Sequence, residues 1–371
     1  MSEAQQGEIL QAEELENVEQ LPLESQGFGS FETIVEGWYW AVDSGSLKKG
    51  GVVPLEIMGR DLVAYRGKDG LVRIMDAYCP HMGAHLAEGK VDGKGIRCFF
   101  HHWAFSESGE LTDVPCAKIL PKAQVKTWPA QEKYGMVWIW TGDTPRHPVP
   151  FIPELEGLEL DSRLGSHFFK GCHPNIVMIN AIDEQHFHSV HPMASSLADG
   201  LSFAMTPLND NCLVFDNQNA VPDRSLFTRL LGRLYKGPLT YRMVYWNGST
   251  GSVTVGPDLF HFHIIFALRP TPDGRGEGHT ILVTKKRRGP IGWLVNRVAL
   301  TITNIVGSYF GDGDTKVFES IKWKFANPIK ADRSILHFTR HLSKQKRVAW
   351  GAWDGNSDAH AITTPKGRLD A

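Results

Sequence analysis

The stretch CPHMGAHLAEGKVDGKGIRCFFHHW, Cys79–Trp103, holds two cysteines and four histidines within 25 residues. It contains two short clips, Cys79-x-His81 and, after a gap of 16 residues, Cys98-x2-His101. Thiolate and neutral imidazole are both metal ligands, and clips on separate loops suit a site where two hairpin tips meet. A tetrahedral zinc with a Cys2His2 set is one reading. Zinc boxes usually pair cysteine with cysteine and histidine with histidine, whereas each clip here carries one of each.

A second constellation follows at Asn180-x2-Asp183-x2-His186-x4-His191. On a helix, positions 180, 183 and 186 share a face. His186 and His191 are five apart, which an ideal helix splays by about 140°. Helix geometry alone prefers His188 with His191, and a distortion or a helix end before Pro192 is needed to bring His191 round to His186.

These residues need elements to hold them. From Gly37 the runs WYWAV, VVPLEIM, DLVAYRG and LVRIMDAY, broken by Gly, Lys and Asp, predict a small all-β unit, which AQVKTWPAQEKYGMVWIWTG continues. DTPRHPVPFIPELEG, with four prolines, marks a boundary. Beyond it, NIVMINAIDEQHFHSVHPM reads as one helix ended by Pro192. LFHFHIIFALRP and GHTILVTKKRRGP read as strands around the loop TPDGRGEG. IGWLVNRVALTITNIVGSYF, 291–310, reads as a long, mostly buried helix. Arg297 and its polar residues dilute it below a membrane span. The expectation is a flexible acidic arm over 1–30, a β domain over 31–145 and an α+β domain over 146–371, within the reach of 371 residues.

Composition narrows the class. A net charge of −2 gives no global pull on nucleic acid. Five cysteines are an odd, sparse set rather than a disulfide framework, so a reducing compartment is expected. Cys116, Cys172 and Cys212 read as small buried apolar residues. The acidic N-terminal residues lack the pattern of a signal peptide, and the expectation is cytoplasmic, with membrane association open.

YCPHMGAHL and CFFHHW resemble the two ligand boxes of the Rieske domain family. The resemblance implies a [2Fe–2S] cluster ligated by Cys79, His81, Cys98 and His101, one iron taking both thiolates and the other both imidazoles. Neutral His in place of Cys raises the reduction potential. His85 and His102 are left as neighbours. The second box departs from the common Cys-Pro-Tyr-His-Gly-Trp, with Phe99 for Pro and His102 for Gly, which bears more on potential than on assembly.

The second constellation resembles the mononuclear iron motif of the Rieske non-haem iron oxygenases. That resemblance implies His186 and His191 as ligands of an Fe(II) with open positions, completed by a downstream carboxylate. Asp312, Asp314 and Glu319 are candidates. In the family an aromatic commonly follows the ligand by four positions, which selects Asp314 with Phe318. The resemblance further implies an all-β Rieske domain followed by a helix-grip (START-like) α+β catalytic domain. It implies a head-to-tail homotrimer in which Asp183 bridges His186 to His101 of the partner subunit.

With no flavin or NAD fingerprint in the chain, a ferredoxin or flavin reductase is the expected donor. CPHMGAHL together with DAYCPH is similar to the steroid 9α-hydroxylase and Neverland-type cholesterol desaturase branch. This points to O2-dependent oxidation of a large apolar sterol or steroid, with an aromatic-ring hydroxylase or O/N-demethylase as the alternative. A pure electron-transfer protein and a zinc-stabilised binding module are the remaining classes. SLFTRLLGRLYKG, 225–237, is amphipathic and basic and is a candidate membrane contact, with an ordinary surface helix as the plain reading. KKRR, 285–288, is a candidate docking tract for an acidic ferredoxin, or a solvated strand end.

Overall fold

The computed structural model describes residues 28, 33–191, 205–219, 236–257, 260–325 and 328–351. Most of the expected acidic arm and most of the 225–237 stretch lie outside these residues. The chain forms two compact units, one of residues 46–130 with 349 onward, the other of residues up to 45 with 131–348.

The first unit is all β. One antiparallel sheet runs in the order Thr127–Trp128, Val72–Asp76, Arg60–Arg66, Val52–Ile57. Met58 and Gly59 join its outer pair with φ of 51° and 80°, the left-handed pair that a two-residue hairpin turn requires. A second sheet is a meander of Lys90–Asp92, Gly95–Arg97, Ala104–Phe105 and Leu111–Asp113. Val63, Tyr65, Met75, Leu86, Ile96 and Phe105 pack around Cys79 and Cys98. Behind them Arg60 is buried between the rings of Trp128 and Trp350 and pairs with Asp76 at 3.1 Å. Trp128 Nε1 also donates to Asp76, at 2.8 Å, so this buried ion pair is hydrogen-bonded as well as charge-matched.

The second unit is a seven-stranded antiparallel sheet with helices laid on it. Its order is Leu160–Lys170, Gly276–Lys285, Phe262–Pro270, Thr250–Pro257, Leu239–Trp246, Cys212–Asn219, Met205–Asn209. The two strands expected around TPDGRGEG pair with Pro270 opposite Gly276. Trp38–Asp43 and Met136–Trp140 pair with each other, and their tryptophans pack on Ile265, Ala267, Ile281 and Val283 of the large sheet. The helices are α1 (Pro174–Ile182), α2 (Glu184–Ser189), α3 (Gly289–Gly313), α4 (Thr315–Ser320) and α5 (Arg333–Lys344). α1 and α5 bury Met178, Ile179, Ile335, Phe338 and Leu342 against the sheet.

Three expectations change. The helix expected through 175–191 is two helices, broken at Asp183. There φ −79° and ψ 106° end α1, and the carboxylate caps α2 by accepting from Gln185 N at 2.9 Å. The long helix is present as α3, but one of its faces is exposed rather than buried. Cys172 and Cys212 are buried, whereas Cys116 lies exposed in a loop.

Candidate metal centres and cavity

The first centre is built by two loops closed on themselves. Cys79 N donates to Ala84 O and Gly83 N to Cys79 O, both at 2.9 Å, and Cys98 N donates to Trp103 O at 2.9 Å. The thiols of Cys79 and Cys98 face each other in the core, and burial pushes the Cys79 thiol up to about 12. The rings of His81 and His101 are exposed, with centroids 4.6 Å apart, and His81 stacks on Trp103 at 4.3 Å. The thiols are therefore inside and the imidazoles outside.

A mononuclear zinc, about 2.0–2.3 Å from each ligand, draws its donor atoms into one tight shell. Among the described residues the only group of three or more ligating atoms gathered within 4.8 Å is His186, His191 and Asp314. The segregated set at 79–101 fits a cluster with thiolates on one iron and imidazoles on the other.

His85 serves a different role. Its Nδ1 accepts from Ala87 N at 3.1 Å, capping the turn at Leu86–Glu88. His102 sits at φ 58°, a conformation that favours glycine. Arg97 Nη1 donates to the His102 carbonyl at 2.7 Å and also pairs with Asp92 and Asp113, which holds that turn in place.

The second centre rests on the break at Asp183. Tyr241 OH donates to Ala181 O at 2.7 Å and Ser334 Oγ to Ile182 O at 2.9 Å, satisfying carbonyls that the end of α1 leaves open. The restart turns α2, and its last turn brings His191 N onto Phe187 O at 3.2 Å. His186 and His191 end with ring centroids 5.3 Å apart, the convergence that an ideal helix denies them. His186 Nδ1–H donates to the Asp183 carbonyl at 2.7 Å, which leaves Nε2 toward Asp314, a candidate metal position. Asn180 Nδ2 lies 3.2 Å from that Nε2.

Asp314 enters from the junction of α3 and α4, where its carbonyl accepts from Val317 N and Phe318 N. Its Oδ1 lies 2.9 Å from His191 Nε2 and 3.7 Å from His186 Nε2. Burial holds the His186 pKa below the ordinary histidine value, which favours the neutral ring. Two imidazoles and one carboxylate, all buried, form a donor set suited to Fe(II) with positions left open. His188 and Glu319 are exposed and outside this group.

The triad stands in the wall of a cavity of about 210 Å³. Phe168, Val177, Met178, Phe187, Val255 and Phe266 give it an apolar lining, and Ser166, Thr280 and Asn304 add polar points. The inner face of α3 contributes Asn304, Gly307, Ser308 and Gly311. Sequence reasoning missed these lining residues. The signal was present, since small residues recur at i, i+3, i+4 and i+7 just before Asp314. Gly313 was also missed: a Cβ there would lie 2.7 Å from His191 Cε1.

Residues 37–129 match the Rieske [2Fe-2S] domain family. The chain is 38% identical to cholesterol 7-desaturase nvd of Bombyx mori over 170 residues, 44% of this chain and 37% of that protein. It is 31% identical to the oxygenase component of a 3-ketosteroid-9-alpha-monooxygenase of Rhodococcus rhodochrous over 163 residues, 42% of each. The matches thus span less than half the length of these relatives. The oxygenase in the reduced oxygenase–ferredoxin complex of carbazole 1,9a-dioxygenase superposes with TM-score 0.65 at 15% identity, covering 91% of this chain and 95% of that one. The fold is shared across both units.

Proposed function

We propose that this chain, which over residues 37–129 belongs to the Rieske [2Fe–2S] domain family, is the oxygenase component of a multi-protein monooxygenase acting on a sterol or steroid-like substrate. The observation that carries the reading is the convergence of His186, His191 and Asp314 on an apolar cavity. A dedicated electron carrier has no use for such a site. The two metal groups, when bound, supply single electrons and the activation of O2.

The residues of the chain do the rest. Phe168, Met178, Phe187 and Phe266 exclude water and hold apolar substrate beside the open metal positions. The Asp183 carbonyl fixes the His186 ring. In the proposed head-to-tail trimer the Asp183 carboxylate faces His101 of the partner subunit, so that the main-chain carbonyl and the carboxylate of Asp183 together link the two imidazoles. The donor is a ferredoxin or flavin reductase. The functional division is proposed to follow the proline-rich stretch near residue 145, with the cluster domain before it and the iron domain after it.

The sterol reading draws support from the similarity to the cholesterol desaturase and ketosteroid oxygenase component, and from the apolar lining. The aromatic-ring or demethylating alternative draws on the shared fold with a carbazole dioxygenase oxygenase. Turnover of the iron-loaded protein with a reductase pair and a panel of sterols, 3-ketosteroids and aromatic ethers separates them. Gain of one oxygen or loss of two hydrogens on a sterol or steroid is expected. Product from the aromatic ethers alone would reverse the assignment.

A further inference from the structure

Helix α3 carries two apolar faces. The inner face places Asn296, Ala299, Leu300, Thr303 and Gly307 on the sheet and along the cavity. The outer stripe is Ile291, Leu294, Val295, Val298, Ile302 and Ile305, each following the last by three, one, three, four and three residues, a continuous line at the helical period. These side chains are exposed, Ile291 by 79% and Ile305 by 64%, and Trp293 beside the line is 57% exposed. A contiguous bulky apolar stripe on a surface helix marks a docking face.

Charge identifies the occupant. The helix has no acidic residue before Asp312, and the exposed tract Lys285, Lys286, Arg287 and Arg288 leads directly into its first turn. Arg297 lies over the Trp293 ring with its guanidinium 5.5 Å from the centroid. A bulky apolar line with a tryptophan and a basic cluster at one end is the chemistry of a helix lying in the interface of an anionic bilayer. Among the described residues no helix is long and apolar enough to cross a membrane, so the contact is lateral.

We infer that the outer face of α3 seats the protein on an anionic lipid surface, with the basic tract over the headgroups and Ile291–Ile305 in the acyl boundary. The docking helix is also a wall of the cavity, so a lipid-soluble substrate enters from the bilayer side. This last step rests on the proposed function, whereas the docking itself does not.

The test uses the metal-loaded full-length protein and extruded vesicles of phosphatidylcholine alone or mixed equally with phosphatidylglycerol. Flotation should show binding, stronger to the mixed vesicles. Trp293→Ser with Ile305→Asn should weaken partitioning by about tenfold or more at unchanged iron content and melting temperature. Lys285→Glu with Lys286→Glu should abolish the preference for anionic lipid. Absence of vesicle binding by the wild type overturns the inference. So does a fall in oligomer mass of the Trp293/Ile305 variant, which would make the stripe a contact between copies. Loss of reduction by the donor in the Lys285/Lys286 variant, with vesicle binding intact, would assign the tract to a protein partner instead. A vesicle-binding protein that turns over no sterol would leave the docking face standing and remove the substrate reading.

Discussion

His191 Nε2 lies 2.9 Å from Asp314 Oδ1, across 123 positions of sequence. Both groups are buried, and the carboxylate reaches the imidazole only because α3 ends at Gly313 with no side chain in the way. Gly313→Ala should press its Cβ on the His191 ring and lower iron affinity by about tenfold, with the visible spectrum of the cluster unchanged. Iron titration of the apo-protein reads this directly. Wild-type affinity would mean that the ring has room to shift.

His186→Ala, His191→Ala and Asp314→Ala should each lose the mononuclear iron and keep the cluster, while His188→Ala, on an exposed side chain, retains both. Metal analysis with acid-labile sulfide separates the two centres. Normal iron in Asp314→Ala together with loss in Asp312→Ala would move the third ligand.

Cys79→Ala and His101→Ala should abolish the cluster absorbance, because each removes a member of the segregated thiol and imidazole set. His85→Ala should keep the cluster and destabilise the turn it caps, at about 1 kcal/mol. His102→Gly should also keep it and raise the melting temperature slightly, since glycine relieves a left-handed backbone at φ 58°. A cluster that survives His101→Ala and vanishes in His102→Ala would reverse the ligand assignment.

Asp183→Asn tests the proposed bridge. Asparagine caps a helix as well as aspartate, and the main-chain carbonyl that holds His186 is untouched, so the variant should fold and keep both metals. An amide cannot accept hydrogen bonds at both ends, and transfer between centres should slow by roughly 10- to 100-fold. Stopped-flow mixing of the reduced variant with O2 and substrate should show a cluster that stays reduced. Reoxidation at the wild-type rate would leave Asp183 as a cap alone.

Acid should unfold the 131–348 unit early. Burial lowers the pKa of His263, His279 and His341 to about 4. In the unfolded chain histidine titrates near about 6.5, so between these values the unfolded state binds more protons. Stability is therefore full above about pH 6.5 and falls as pH drops toward about 4. Urea melts of the apo-protein across this range should show it, and His263→Gln should flatten the slope. A midpoint independent of pH would contradict the burial of these rings as neutral groups.

The two candidate cluster boxes stand out in the sequence because each clip is local. A loop of six residues carries its own ligands at fixed spacing, so ligand types alone point to the mixed set. The β pattern of the first unit and the strands around TPDGRGEG were legible for the same reason, since alternation and turn residues act over short range. The partnership of His186 with His191 came from the family resemblance alone, because regular helix geometry sets them apart. Only the break at Asp183, whose freed carbonyls are taken by Tyr241 and Ser334 from distant segments, reorients the pair. Asp314 was selected by its spacing to Phe318 under the family resemblance, but the cavity wall waited on α3 crossing the sheet. So did the outer stripe of that helix: the sequence shows an apolar helix, but which face a sheet covers and which it leaves to solvent is decided by packing, where one surface offers room for only one side of a cylinder.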